Sequence, residues 1–206
     1  YGAMTDIAEG NIASLSVYNT MKKHLDIESF IDYMLINLYL GNSDWDGHNW
    51  RAAGTGPTGV PFHFFPWDTE FAISPPRNAT STINDALTVN RTTLNGNNRP
   101  TGIHQDLAQN AEYRLAFADA AHAAFFNNGP LSGQSAEAIW RRRSDDMSLA
   151  IVAESARWGD YRRDVQAAGG WSSSDFDLYT RNEYYDPIQD YITETYLKQR
   201  PAIFLN

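Results

Sequence analysis

The sequence contains no cysteine. This absence excludes disulfide bridges, thiolate metal sites and cysteine nucleophiles. No apolar run approaches the roughly 18 residues that a membrane-spanning helix needs, so we expect no membrane span. The N-terminus lacks the charged, apolar and small-residue segments of a signal peptide, and it begins with Tyr1 instead of Met. We therefore expect the chain to be part of a longer protein.

Basic residues are also scarce, with 16 Lys and Arg against 25 Asp and Glu and a net charge of −9. An acidic surface repels nucleic acid, so we expect no nucleic-acid partner. The arginines at 141–143 are predicted to lie on the solvent-exposed face of a helix. Hydrophobic residues make up 42% of the 206 positions, which is typical of a globular chain. With no shift in composition along the chain, we predict a single domain over residues 1–206.

The clearest predicted element is a helix that leads into a polar loop. Asp26 is suited to cap its N-terminus. Apolar residues then recur every three or four positions from Ile27 to Leu38, which predicts one buried helical face. Gly41 supplies a stop signal. A rigid helix is therefore expected to position residues 42–49.

A β-hairpin is predicted next, with strands at Trp50–Ala53 and at residues 60–66 and a glycine-rich turn between them. Residues 74–100 are expected to form a long loop. Further helices are predicted over residues 12–25, 104–126 (one or two helices) and 135–158, and a last helix opens at Asp186 as N-cap with Pro187 at its first position. The fold class is therefore α+β, predominantly α-helical, with one small hairpin.

The candidate catalytic residues lie on either side of this hairpin. Asp44 and Asn49 have the spacing Asp-x-x-x-x-Asn, and Asp68 follows the hairpin. Protein kinases use the same order of a base for the attacking hydroxyl, an amide for one Mg²⁺ and a carboxylate for another. We therefore predict that Asp44 is catalytic and that Asn49 and Asp68 bind Mg²⁺ and its nucleotide. Glu70 is a further candidate metal ligand.

The same residues permit other interpretations. Asn42, Asp44 and Asp46, followed by Gly47, match the start of a Ca²⁺-binding loop, but position 12 of that loop is Ala53 instead of Glu. The polar residues could instead cap the helix end and the turn. A carbohydrate-active pair of carboxylates also stays open, because sequence does not give their separation. The three tryptophans of this stretch are predicted to be core or shielding residues: Trp45, Trp50 and Trp67. For His48, a hydrogen bond to the loop backbone is the expected arrangement.

Several motifs resemble one known family. These are the helix Phe30-Ile-Asp-Tyr-Met-Leu-Ile-Asn, the loop Gly41-Asn-Ser-Asp-Trp-Asp-Gly-His-Asn-Trp, and the segment Phe65-Pro-Trp-Asp. Asn110-Ala-Glu-Tyr-Arg and the stretch that begins at Ile151 add weaker similarity. Together they resemble the CotH family, which comprises spore coat protein H and its bacterial relatives. The similarity extends from about Asp26 to Trp158.

This resemblance implies an atypical kinase-like fold that transfers phosphate from ATP to Ser and Thr hydroxyls of proteins, with Mg²⁺ as the cofactor. It places the catalytic aspartate at Asp44, the metal-binding aspartate at Asp68 and a second metal ligand at Asn49, while Glu70 stands where relatives often have Asp. Only 43 residues precede Asp44. They are too few for a nucleotide-clamping lobe, so we expect the chain to be the C-terminal, catalytic-loop half of such a domain. This half lacks activity on its own if catalysis needs the other lobe. An extracellular or spore-surface location is implied. The alternatives are a non-catalytic scaffold or coat-interaction domain and a Ca²⁺-stabilised extracellular domain.

Overall fold

The computed structural model describes residues 1–73, 86–161, 164–165 and 178–206. Helices dominate this part of the chain, and a two-stranded antiparallel sheet accompanies them, which confirms the predicted helix-rich α+β class. The helices are α1 (Gly2–Ala8), α2 (Leu15–Met21), α3 (Ile27–Tyr39), α4 (Pro100–Leu107), α5 (Ala111–Phe125), α6 (Gly133–Trp158), α7 (Asp186–Asp190) and α8 (Leu197–Leu205), and the strands are β1 (Trp50–Ala53) and β2 (His63–Pro66).

Helix α3 has the predicted start and end. The side chain of Asp26 accepts a hydrogen bond of 2.9 Å from the backbone amide of Ser29, as an N-cap does. Gly41 has φ +58°, and a Cβ at this position would lie 2.5 Å from the carbonyl oxygen of Ala86. Glycine is therefore required here both by the backbone conformation and by the close approach of residue 86.

The hairpin has the predicted first strand and a shorter second one. Its register pairs Trp50 with Pro66 and Ala53 with His63. The first part of the predicted strand over residues 60–66 does not pair with β1. Instead, the amide of Phe62 donates to the carbonyl of His24, which joins the hairpin to the segment before α3. The hairpin is thereby fixed to the same helix that leads into the polar loop.

The N-terminal region contains more helix than its sequence predicted. The predicted helix over residues 12–25 is limited to α2, and α1 was not predicted. Both short helices pack into the core of α3, α1 through buried Met4 and α2 through buried Tyr18, and Ile12 between them is buried in the same core. Neither helix has a side-chain cap or a strong apolar periodicity, so tertiary packing is what stabilises them.

Two separate helices, α4 and α5, occupy the region predicted as one or two helices over residues 104–126. Helix α4 begins earlier than predicted, because Pro100 occupies its first turn. Asn110 caps α5 with its side-chain oxygen and donates to the carbonyl of Ile12 over 2.8 Å. This buried amide thus connects α5 to the N-terminal region. Helix α6 starts two residues before the predicted position 135 and ends at Trp158, as predicted.

The predicted N-cap at Asp186 is wrong. Asp186 has helical dihedral angles, and the helical run begins earlier, at a π-helical turn over Arg181–Tyr185. Thr180 is the actual cap, because its hydroxyl accepts from the amide of Glu183. A wide π-helical turn before Pro187 accommodates a residue that has no amide hydrogen. A second π-helical turn, Tyr191–Tyr196, leads into α8.

Two hydrophobic clusters surround α3. The larger one joins α3 to the N-terminal helices, the hairpin and α4, and the smaller one joins the end of α3 to residues of α5, α6 and the C-terminal run. The smaller cluster includes Tyr39, Phe125 and Tyr196. Among the described residues, no helix combines the length and the apolar character that crossing a bilayer requires. Residues 74–85 of the predicted long loop lie outside the described part of the chain, and residues 86–99 contain no helix or strand.

One consequence of this packing is a pH-dependent stability. Between α4 and α5, Nδ1 of His104 lies 2.8 Å from the Tyr113 hydroxyl, and burial lowers the pKa of His104 to about 4. In the unfolded chain, His104 takes up a proton near pH 6.5. The folded protein therefore keeps its full stability above that pH and becomes less stable as the pH falls toward 4. We expect a loss of about 3 kcal/mol over this range, measured by urea unfolding at several pH values. His104→Gln should flatten the pH dependence, whereas His122→Gln, at an exposed position on α5, should not. Equal slopes for His104→Gln and the wild type would contradict this prediction.

Candidate active site

The loop that follows α3 is held by buried amide side chains. Asn42 is 1% exposed, and its side-chain oxygen accepts a hydrogen bond of 3.2 Å from the backbone amide of Asp44. Asn37, near the end of α3, is also buried and donates to the carbonyl of Tyr33. The backbone of Asp44 is therefore fixed relative to the helix.

Asp44 and Asn49 are in direct contact. The side-chain amide nitrogen of Asn49 donates to Oδ2 of Asp44 over 3.1 Å. Asn49 is 6% exposed, whereas the side chain of Asp44 is 39% exposed. The pair therefore presents a carboxylate to solvent and holds it from the protein side. The amide oxygen of Asn49 stays available as an acceptor or a metal ligand.

The hairpin brings Asp68 to the same place. The ladder pairs Trp50 with Pro66, and one step further the amide of Trp67 donates to the carbonyl of Asn49 over 3.2 Å. Asp68 follows directly, with φ +52°, an uncommon conformation for a non-glycine residue. It is exposed and makes no hydrogen bond to any described residue. The three predicted residues thus lie around the open end of the hairpin, and Glu70 is exposed two residues further on.

Asp46 has a different environment from Asp44. Its Oδ1 accepts from the amide of Thr101 over 3.0 Å, and its Oδ2 accepts from the Thr101 hydroxyl over 2.7 Å. Asp46 thus acts as the N-terminal cap of α4 from a distant part of the chain, because Arg99 at the N-cap position makes no side-chain cap bond. Both carboxylate oxygens are engaged, so Asp46 is a structural residue of the loop. No pattern in the sequence indicated this partner.

The three tryptophans have different environments. Trp45 is 1% exposed and contacts Tyr33, so its predicted core role is confirmed. Trp50 is half-buried between Tyr1 and Phe64. Trp67 is 57% exposed and lies under the guanidinium of Arg51, so of the predicted core or shielding roles the core role is excluded. Trp67 directly follows the short strand β2, where only one face of its ring is covered.

Burial shapes the electrostatics behind the loop. The hydroxyl of Tyr33 is buried without a hydrogen-bond partner among the described residues. Burial, and after it the charge of Asp46, raises the pKa of Tyr33 far above its usual range. Tyr33 is therefore neutral at all ordinary pH values. His48 approaches Asp44 instead of the loop backbone, with its Nε2 3.6 Å from Oδ1 of Asp44, and its side chain is 70% exposed.

The available donors fit Mg²⁺ held together with a nucleotide. Asp68 and the amide oxygen of Asn49 are hard oxygen ligands, and Mg²⁺ typically takes one or two such protein ligands plus phosphate oxygens and water. No group of three or more His, Asp or Glu residues converges on a metal position within the described residues. The donor set is therefore not that of a metal cage built from protein alone.

The C-terminal helices support the loop from behind. Arg200 on α8 is 1% exposed and donates to four carbonyl oxygens, those of Leu38, Tyr39, Leu87 and Val89, at 2.7–2.9 Å. The hydroxyl of Tyr196 also donates to the carbonyl of Tyr39, over 2.9 Å. Leu38 and Tyr39 belong to the last turn of α3. The helix end from which the loop starts is thus fixed by a side chain about 160 residues away in sequence.

Comparison with known proteins identifies one matching family. The model of one protein family, described as CotH kinase protein, matches residues 3–202 and so covers most of the chain. Searches of curated proteins and of solved structures gave no significant match.

Proposed function

Since the chain belongs to the CotH kinase family, we propose that it carries the catalytic loop and metal ligands of a protein kinase. In this proposal the enzyme transfers the γ-phosphoryl group of Mg²⁺-ATP to Ser and Thr hydroxyls of a protein substrate. The observation that carries the proposal is that Asp44 and Asn49 are in contact and that Asp68 follows the hairpin directly after the residue bonded to Asn49. The side chain of Asn49 donates to Asp44, and the backbone amide of Trp67 donates to the carbonyl of Asn49.

Asp44 has the geometry of a positioned base. One carboxylate oxygen accepts from Asn49, and the backbone amide is bound to Asn42, so the other oxygen, Oδ1, remains for the substrate and lies 3.6 Å from Nε2 of the exposed His48. In the proposed step this oxygen accepts the proton of the Ser or Thr hydroxyl while the hydroxyl oxygen bonds to the γ-phosphorus and ADP leaves. Asn49 and Asp68 would hold the metal. Mg²⁺-ATP, when bound, supplies the phosphoryl group and neutralises part of its charge.

The geometry favours Mg²⁺ over the alternative Ca²⁺ loop. Such a loop would need side-chain oxygens of Asn42 and Asp46 as ligands. The oxygen of Asn42 already accepts from the amide of Asp44, and both oxygens of Asp46 accept from Thr101. The engagement of Asp46 argues equally against its use in a carbohydrate-active carboxylate pair.

A surface location accords with the link between this family and the spore coat.

Thermal melting in the presence of ligands tests the proposal. We expect Mg²⁺-ATP to raise the melting temperature by several degrees, since a ligand at 100 times its Kd adds about 2.7 kcal/mol. EDTA, Mg²⁺ alone and Ca²⁺ alone should cause no shift, and Asp68→Asn should abolish the shift with Mg²⁺-ATP. A shift with Ca²⁺ alone would support the Ca²⁺-stabilised domain instead. If the protein binds no Mg²⁺-ATP even within its full-length chain, the scaffold role replaces the kinase role.

A further inference from the structure

Arg99 extends from the residue before α4 toward the catalytic loop. Its side chain crosses Gly96, where a Cβ would lie 2.5 Å from Cδ of Arg99. Its Nη1 lies 3.7 Å from the position that a Cβ would take on Gly47. Gly47 is located between Asp44 and Asn49 in the sequence of the loop. The guanidinium is therefore placed beside the loop that carries the proposed base.

The guanidinium of Arg99 makes no hydrogen bond or ion pair with any described residue, and the side chain is exposed. The other arginines around the site are engaged. Arg51 donates to the carbonyls of His48 and Trp50, and Arg91 donates to the carbonyl of Gly41. The carboxylate of Asp46, which lies against the same Gly96, already has both oxygens bound to Thr101. Arg99 therefore keeps its donors available for a ligand.

The chemistry around Arg99 indicates an anionic ligand. Asp44, Asp46 and Asp68 give this loop region a negative charge, and the whole chain carries −9. A nucleotide triphosphate must approach these carboxylates despite their repulsion, and a guanidinium offers paired N–H donors that match phosphate oxygens. Phosphoryl-transfer enzymes commonly use such a cation on the transferring group, where charge develops in the transition state.

We propose that Arg99 is a phosphate-binding residue of this site and contacts the terminal phosphates of the nucleotide. This assignment rests on the proposed kinase function. It adds a cation that the motif around Asp44 does not contain, and it gives the segment before α4 a role in binding. The position of Asp46 is part of the same arrangement, because its bonds to Thr101 fix the start of α4 directly after Arg99.

Two measurements on Arg99→Gln, Arg99→Lys and the control Arg143→Gln, all made in the full-length protein, test the proposal. Arg143 is an exposed arginine on α6, so its replacement removes the same charge elsewhere. Calorimetry with Mg²⁺-tripolyphosphate measures phosphate binding without turnover, and phosphotransfer assays give kcat and KM for ATP. We expect Arg99→Gln to weaken tripolyphosphate binding about tenfold and to lower kcat about 100-fold. Arg99→Lys should restore part of both, and Arg143→Gln should change neither.

The outcomes separate this inference from the proposed function. Wild-type binding and phosphotransfer that Arg99→Gln leaves unchanged would overturn the role of Arg99 alone. Weaker tripolyphosphate binding by Arg99→Gln in a protein without phosphotransfer would support the phosphate contact and overturn the kinase function. A wild-type protein that neither binds Mg²⁺-tripolyphosphate nor transfers phosphate would overturn both.

Discussion

Replacing Asp44 with Asn is expected to lower the kcat of phosphotransfer by about 10²- to 10⁴-fold, the usual contribution of a positioned general base. The asparagine has the same shape, and its side-chain oxygen can still accept the hydrogen bond from Asn49. It cannot accept the proton of the substrate hydroxyl. We therefore expect the melting temperature to stay close to that of the wild type. Phosphate transfer from labelled ATP to a Ser- or Thr-containing substrate measures the effect.

Asp46→Asn is the matched control, since it makes the same chemical change two residues away. Asp46 accepts from both the amide and the hydroxyl of Thr101, and its charge lies at the N-terminus of α4. An asparagine loses that charge and one acceptor, which should cost about 1–2 kcal/mol of stability. Below its melting temperature, the Asp46→Asn protein should keep a kcat far above that of Asp44→Asn. The reverse ranking of the two kcat values would show that Asp44 and Asp46 have been assigned each other's roles.

Local signals made much of this site predictable from the sequence. The cap at Asp26, the apolar spacing of α3 and the stop at Gly41 are all determined by near neighbours, and the structure confirms each of them. The hairpin is equally local, and antiparallel pairing necessarily returns the chain to its starting point. Asp68 therefore had to approach Asn49 once the strands were placed correctly. Only the length of β2 differed from the prediction, because the amide of Phe62 donates to the carbonyl of His24 instead of pairing with β1.

Partners far apart in sequence were not predictable. Asp46 and Thr101 are 55 residues apart, and no local pattern distinguishes Asp46 from Asp44. The helix start at Thr180 was missed for another reason: a π-helical turn precedes Pro187, and the sequence signal of Asp and Pro favoured a later start. From the sequence alone, Arg200 is indistinguishable from the other charged residues of its helix, yet it is only 1% exposed. For Asp46 and Arg200, tertiary contacts determined the outcome.

Arg200→Met is expected to destabilise the protein by about 3–5 kcal/mol, or roughly 10 °C in melting temperature. The buried guanidinium contacts no carboxylate among the described residues. Its charge is stabilised by four carbonyl oxygens, two of which belong to the last turn of α3, where the helix dipole is negative. Methionine fills similar space but removes the guanidinium donors from all four oxygens, although the Tyr39 carbonyl keeps the Tyr196 hydroxyl. Each buried acceptor that loses its last donor costs about 1–3 kcal/mol before relaxation. Thermal and urea unfolding measure the loss.

Arg114→Met is the control for this change. Arg114 also donates to two carbonyl oxygens just beyond a helix, those of Ala108 and Gln109 after α4, but it is exposed. Water replaces its donors, so we expect a loss of less than about 1 kcal/mol. Arg200→Lys should lie between the two, because an ammonium group cannot span four acceptors from one position. If Arg200→Met and Arg114→Met melted at the same temperature, Arg200 would not be holding the end of α3. The loop that begins at Gly41 would then depend on its other contacts, which include the buried amides of Asn37 and Asn42.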